Sequence, residues 1–356
     1  LAETNQVSKQ TFSHDQFTNV TDTYEYDFGT GAPGAFLRRS HTDYVTDANY
    51  TSQTGAHMRS LPLQSCVSAD INGTTKASLT QFEYDNYNTD AGHDALVSRS
   101  NVVGHDTTNY GTSNIRRGNV TAVTSYSDAQ AQTGAITAYS QYDILGNVVK
   151  VIDAKGCAST SNYDDNFGAP DGEARTNAPP TQLNGLNTFA FPKSATNCLG
   201  WITGYSQVDY FTGASVNTED INGVISKTIY NDPLDRPTQS VSAIGTAHER
   251  QSNIIYDDAN RRVETKSDLF TLNDNLIKSE SFYDGLGRTF ESRSYKDGGF
   301  VVSKSEFDAL GRVKRVTNPY RPHLSESVVW TESFYDALGR VIRIKTPDNA
   351  EALTSY

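Results

Sequence analysis

Read from its C-terminus backwards, the chain repeats one hexad. The copies are Tyr335-Asp336-Ala337-Leu338-Gly339-Arg340, Phe307-Asp308-Ala309-Leu310-Gly311-Arg312 and Tyr283-Asp284-Gly285-Leu286-Gly287-Arg288. Upstream stand Tyr256-Asp257-Asp258-Ala259-Asn260-Arg261, the variant Tyr230-Asn231-Asp232-Pro233-Leu234-Asp235-Arg236, and Tyr142-Asp143-Ile144-Leu145-Gly146-Asn147. Looser copies start at Tyr26, Tyr84 and Tyr163, and Asp209-Tyr210-Phe211-Thr212-Gly213 is a further variant. A recurring short unit is the strongest constraint a sequence can place on its fold, because each copy must pack on its neighbours.

Every position of the hexad has turn chemistry. Asp accepts a hydrogen bond from a backbone N–H two residues on and so reverses the chain. Gly takes the φ > 0 position of a bulged hairpin. Asn260 fills that position in one copy, as the residue that next best tolerates it. The aromatic residue ends the incoming strand and packs on its neighbours. Arg opens the outgoing strand within reach of the Asp carboxylate or a nearby carbonyl.

A second punctuation alternates with the first: Asp70-Ile71-Asn72-Gly73, Asp153-Ala154-Lys155-Gly156 and Asp220-Ile221-Asn222-Gly223. Asn-Gly between alternating stretches is a strong hairpin signal. The connecting pieces, such as Val148–Ile152 and Val341–Lys345, have strand length and period two. The expected fold is all-β, a run of consecutive antiparallel hairpins, with no convincing amphipathic helix. Residues 141–356 form the regular repeat region and 1–140 a degenerate one continuous with it. An irregular insertion sits near 165–200, marked by Gly168, Pro170, Gly172, Pro179, Pro180 and Pro192.

Composition agrees. Twenty Tyr and 15 Phe stand beside a single Met, and hydrophobic residues make up only 36%. The formal charge of −12 argues against nucleic acid, which requires basic density. The deficit lies almost wholly in residues 1–250, as a solvated acidic surface. No stretch approaches the ~20 apolar residues of a membrane helix. Leu1 is followed at once by polar sequence, and Tyr356 ends mid-pattern, so the chain is expected to be a piece of something longer or a processed product. Cys66, Cys157 and Cys198 lack metal spacing. Cys157 and Cys198 flank the irregular segment, so a disulfide between them is one reading and free buried thiols the other. Four Asn-x-Thr sequons, at Asn19, Asn49, Asn72 and Asn119, weakly suggest an exposed secreted surface.

No constellation carries chemistry. His93-Asp94 and His105-Asp106 recur 12 residues apart, but adjacent strand residues point to opposite faces. Asn86, Asn88, Asp90 and Gly92 misplace the glycine of a calcium loop and lack its closing glutamate. Neither a nucleophile elbow nor a catalytic-cysteine context is present. Catalytic, metal and cofactor residues are therefore expected to be none, and the chain is expected not to be an enzyme.

At the hexads the sequence resembles the RHS/YD-repeat family, whose consensus approximates G-x-x-x-x-x-Y-x-Y-D-x-x-G-R, found in polymorphic toxins, toxin-complex C components and teneurins. The match is strong over 140–356. Over 1–140, Tyr24-Glu25-Tyr26-Asp27 and Phe82-Glu83-Tyr84-Asp85 keep the aromatic-Asp core but lose the Gly-Arg. The resemblance implies a strip that spirals into a hollow β-shell, enclosing a C-terminal effector polypeptide in toxin members. The family's Asp-Pro-x-Gly autoproteolytic element is missing, since Asp232-Pro233-Leu234-Asp235 is a turn variant. The expected role is a non-enzymatic scaffold, extracellular or at the cell surface. It would enclose a toxin-like polypeptide or self-associate by strand pairing. Its partners would be further YD repeats of a longer chain or identical subunits meeting at edge strands. A filament or tube protomer and a glycan-binding adhesin module are the alternatives.

Overall fold

The computed structural model describes residues 5–168, 181–296 and 298–356. Pro170, Gly172, Pro179 and Pro180 of the expected insertion lie outside these. Strand dominates. Helix is limited among the described residues to the four-residue turns Ala48–Thr51 and Thr107–Tyr110 and three 3-10 turns.

The chain divides into two units, one holding residues 5–166 and 181–204, the other 167–168 and 205–356. The break in repeat quality near residue 140 is thus a matter of motif regularity, while compactness places the division near 204. In the first unit successive strands pair antiparallel, from Gln6–His14 with Val20–Thr30 through Val148–Ile152 with Ala158–Asn162. Ala158–Asn162 then pairs with Ser194–Thr196, across the irregular segment. In the second unit the same succession runs from Ser215–Glu219 with Ile225–Ile229 to Val341–Lys345 with Glu351–Leu353. Among the described residues the two-residue pairing of Phe167–Gly168 with Val208–Asp209 and the isolated bridges Val97–Asp143 and Val102–Asn187 are parallel.

The local cause is visible in the register. A shift of one residue falls just before the repeat aromatic in five hairpins, at Glu83/Tyr84, Gln141/Tyr142, Phe282/Tyr283, Glu306/Phe307 and Phe334/Tyr335. A bulge beside a left-handed glycine is how a short loop matches the twist of its strands. Gly146, Gly287, Gly311 and Gly339 all have φ between 79° and 85° or close below, at 85°, 77°, 82° and 79°. Few side chains are fully buried. Strand residues are mostly half-buried, so a sheet of hairpins has many small contacts in place of one deep core.

Candidate functional site

The hexad turns at Asp143, Asp284, Asp308 and Asp336 share one construction. In Tyr283–Arg288 the Asp284 N–H donates to Arg288 O at 2.9 Å, and Gly287 N–H donates back to Asp284 O at 3.1 Å. Asp284 Oδ1 accepts from Leu286 N and Arg288 N, while Oδ2 accepts from Arg288 Nε at 2.7 Å. Asp308 and Asp336 repeat these bonds with Arg312 and Arg340. Asp143 does so with Asn147, whose Nδ2 donates to Oδ2 at 3.1 Å. The charged contact with Arg288 and the N–H donors hold the Asp284 carboxyl below the usual carboxylate range. The second punctuation is the same turn: Asp153 and Asp220 accept from the N–H groups two and four residues on, as Asp284 does.

The Arg does more than close its own turn. Its guanidinium lies over the aromatic ring of the next repeat. Arg236 stacks on Tyr256 at 3.9 Å, Arg288 on Phe307 at 4.2 Å, Arg312 on Tyr335 at 4.5 Å and Arg340 on Tyr356 at 4.4 Å. The tyrosine hydroxyl then donates to the first carbonyl after the preceding turn, as in Tyr142 to Val120 O at 2.8 Å, Tyr256 to Pro237 O at 2.9 Å and Tyr335 to Val313 O at 2.7 Å. At Tyr256 and Tyr335 consecutive hairpins are latched by one stacking contact and one hydrogen bond, whereas Phe307 has the stack alone and Tyr142 the hydrogen bond alone.

Two sequence expectations need correction here. At Tyr256–Arg261 the left-handed residue is Arg261, φ 51°, because Asp258–Asn260 forms a 3-10 turn; Asn260 does not fill the glycine position. The cation facing Asp257 is consequently Arg262, at 3.4 Å, one residue later than expected. The looser copy at Tyr26 also differs. Tyr44, not Tyr26, makes the repeat contact, donating to Val20 O at 2.9 Å, and the Asp27–Ala35 turn lies at the opposite edge of the strip from the turn after Tyr44.

The Gly-Arg counted as lost after Tyr84-Asp85 is displaced by an insertion. Asp85 N–H donates to Asn119 O at 2.9 Å, Asn119 N–H donates to Asp85 Oδ1, and Gly118 has φ 73°. Gly118 and Asn119 are thus the fourth and fifth turn residues, with 86–117 inserted between. Asp85, 5% exposed, accepts five hydrogen bonds: from Tyr50 and Tyr87 hydroxyls and from the N–H groups of Arg117, Gly118 and Asn119. Burial, then the Asp85 charge, pushes the Tyr50 phenol up to about 12 and raises Tyr87 as well. Asp165, and not Asp164, holds the next insertion by accepting from Thr188 and Phe189.

These insertions cover the intervening turn. Val97 N–H donates to Tyr142 O, Ile144 N–H to Val97 O, and Arg99 Nε reaches Asp143 Oδ2 at 2.9 Å. Asp143 and Ile144 are 0% and 1% exposed in consequence, whereas Leu286 and Leu310 of the uncovered turns are each 78% exposed. Cys157 and Cys198 form a disulfide with Cα atoms 5.2 Å apart, joining two neighbouring turns at the other edge; Cys66 is free.

A charged ladder in the second unit escaped the sequence reading. Glu264 faces Glu280, and Glu280 faces Arg293 across adjacent strands. Lys278 Nζ lies 3.2 Å from Glu264 and 3.3 Å from Glu280, Arg262 lies 3.2 Å from Glu280, and Tyr295 OH donates to Glu280 at 2.7 Å. Two like charges directly opposite would repel, so the shared cations are what permit the pairing. The readable signal was a period-two alternation of charged with small residues, as in Arg262-Val263-Glu264-Thr265-Lys266.

The other candidates resolve into loop chemistry. His93 contacts Asp90 at 2.9 Å and Glu83 at 2.8 Å and meets the Tyr139 ring edge-to-face; Asp94 caps Ala95 instead. His105 contacts Thr107, and Asp106 caps the turn at Asn109. Asp90 spends its carboxylate on Gly92 and His93 N–H groups, and Asn86 accepts from Asn88. Among the described residues no three His, Cys, Asp or Glu side chains gather to hold a metal ion. Among the described residues no helix is long and apolar enough to cross a membrane.

No family model matches the chain, and no curated protein matches it. Among solved structures it is similar to TcdB2-TccC3, with a TM-score of 0.44 and 12% identity over 94% of this chain and 19% of that one. It is also similar to TcdB2-TccC3-Cdc42, with a TM-score of 0.35 and 12% identity over 99% and 20%. The chain spans about a fifth of the length of these chains.

Proposed function

We propose that this chain is a non-enzymatic, extracellular segment of an RHS/YD-repeat β-shell, which encloses a polypeptide or associates with further strip by strand pairing. The observation that carries the reading is the latch between consecutive hairpins. Across the Asp308–Tyr335 latch the Asp carboxylate, the Arg guanidinium and the Tyr hydroxyl are all used in the turn or on the neighbouring repeat, which leaves none of these three for a substrate. Because each latch joins only neighbours, such a strip can lengthen by adding hairpins, as repeat proteins do. Partners would be more YD-repeat strip, in the same polypeptide or an identical subunit. An open strand edge exposes N–H and C=O groups to such pairing.

Negative-stain electron microscopy combined with limited proteolysis tests this. Hollow particles holding a protease-protected polypeptide support the shell, and periodic fibres support the filament form of the same scaffold. A monodisperse monomer with no protected polypeptide overturns both.

One observation favours a second reading. In the first unit a groove of about 570 Å³ is lined by Gln64, Gln81, Thr124, Thr137, Tyr139 and His93. Amides, hydroxyls, the Glu83 carboxylate and the rings of Phe82 and Tyr139, all in the same lining, suit a sugar. A glycan array decides it, and an array without signal removes this reading.

A further inference from the structure

The hairpin tip between strands Arg262–Ser267 and Ile277–Tyr283 gathers exposed apolar side chains. Leu269, Phe270, Leu272, Leu276 and Ile277 all face solvent, Phe270 at 68% and Leu276 at 57%. Five large apolar side chains on one short loop are unusual for a surface that stays in water.

The backbone beneath them is fixed. Asp274 accepts from the N–H groups of Leu269, Phe270, Thr271 and Leu276. Asp268, itself buried, accepts from Asn273 N and Asn275 N, and also from Gln251 N of the adjacent strand. Asp274 N–H donates to Thr271 O. Seven of the eight N–H groups from Leu269 to Leu276 therefore have acceptors inside the loop. The Phe270 carbonyl accepts from Arg250, and Gln251 and Asn253 bond Asn273 and Asn275. Both acidic side chains of the tip are turned inward to the backbone, so only apolar and neutral polar side chains face out.

We propose that this tip inserts into the interfacial region of a lipid bilayer, as a peripheral anchor and not a span. A polypeptide partner would ask for complementary hydrogen bonds, and this tip has almost no N–H left to give. Hydrocarbon asks the opposite: apolar side chains outside and backbone groups already satisfied. Residues 251–356 are close to neutral, with 15 Lys/Arg against 16 Asp/Glu, and no basic side chain lies between Asp268 and Ile277, so insertion is hydrophobic and insensitive to salt.

The test is flotation of the purified chain with vesicles of phosphatidylcholine alone, at low and high salt. Wild type floats in both. Phe270→Asp with Leu272→Asp lowers partitioning by about tenfold or more, given the apolar area removed, with circular dichroism unchanged because both side chains are exposed. Phe270→Trp adds fluorescence that brominated phosphatidylcholine quenches beyond the wild-type level. Failure of the wild type to float, equal flotation of the double variant, or loss of flotation at high salt overturns the proposal. So does concentration-dependent dimerisation that the double variant abolishes in the absence of lipid, since the tip would then bind a second copy.

Discussion

Replacing Asp85 by alanine removes the acceptor of five hydrogen bonds at a position 5% exposed. Three donors are backbone N–H groups of residues 117–119, which cannot turn away, and two are the hydroxyls of Tyr50 and Tyr87. A donor left buried without a partner costs about 1–3 kcal/mol. The hydroxyls can rotate and water can enter beside the exposed end of the loop, so the sum falls short of five such penalties. The expected loss is about 3–5 kcal/mol, concentrated in the turn and its insertion. A chain of two units need not unfold in one step. The assay is therefore hydrogen exchange followed by mass spectrometry, read on residues 117–119 and on the inserted loop 86–116. Asp85→Asn keeps one acceptor oxygen but points an NH₂ at donors, and should fall between wild type and alanine. The reasoning is refuted if Asp85→Ala loosens those peptides by less than about 1 kcal/mol. It is refuted equally if Asp85→Asn is the more damaging change.

Alkaline titration provides a second check. The Tyr50 phenol is raised from 10.0 to about 12, so the folded state holds its proton longer than the unfolded state does. Its contribution is complete below pH 10 and is lost as pH rises through about 12; absorbance of tyrosinate should show a late-titrating class that Asp85→Ala makes smaller. Glu264 and Glu291 lie below the usual range. In Glu264 the Lys266 bond is the largest cause; in Glu291 burial pushes upward and the Arg293 and Lys304 bonds outweigh it. Stability of the second unit should thus fall as pH drops below 4.5, and denaturation at pH 3 against pH 6 measures it. Replacing Cys157 and Cys198 by serine opens a 41-residue separation and should cost up to about 4 kcal/mol on the chain-entropy account, read as a lowered Tm in the first unit; an unchanged Tm counts against it. Tyr335→Phe deletes the 2.7 Å bond to Val313 O and should cost about 0.5–1.5 kcal/mol by urea denaturation. Arg312→Lys keeps the charge but loses the planar stack on Tyr335, so its Tm should drop too; a Tm equal to wild type would leave the latch without energetic weight.

What was legible in the sequence was local. Asp accepting two residues on, glycine at φ > 0 and the strand-length pieces between them are decided within five or six residues, so spacing alone gave an all-β succession of hairpins. The regular copies at Tyr283, Phe307 and Tyr335 have the Asp acceptor, the left-handed glycine and the Arg contact in the places the motif gives them. One failure was local and the others came where a non-local choice entered. The Asn260 placement failed because a 3-10 turn was a competing local solution. Gly118 was invisible because 32 residues separate it from Asp85, and only a closed turn shows that they belong together. The Tyr26 copy failed because motif likeness does not say at which edge a turn lies, whereas strand order does.

The sequence by itself determined the turn chemistry, since an Asx-turn and a left-handed glycine need nothing beyond their own residues. The tertiary structure decided which repeat each Arg and Tyr addresses, because stacking on the next ring and bonding to a carbonyl about 20 residues back depend on strand pairing. It also decided which carboxylates are buried. Asp85 and Asp143 carry the same motif as Asp336, yet only inserted loops, folded back in space, take them out of water.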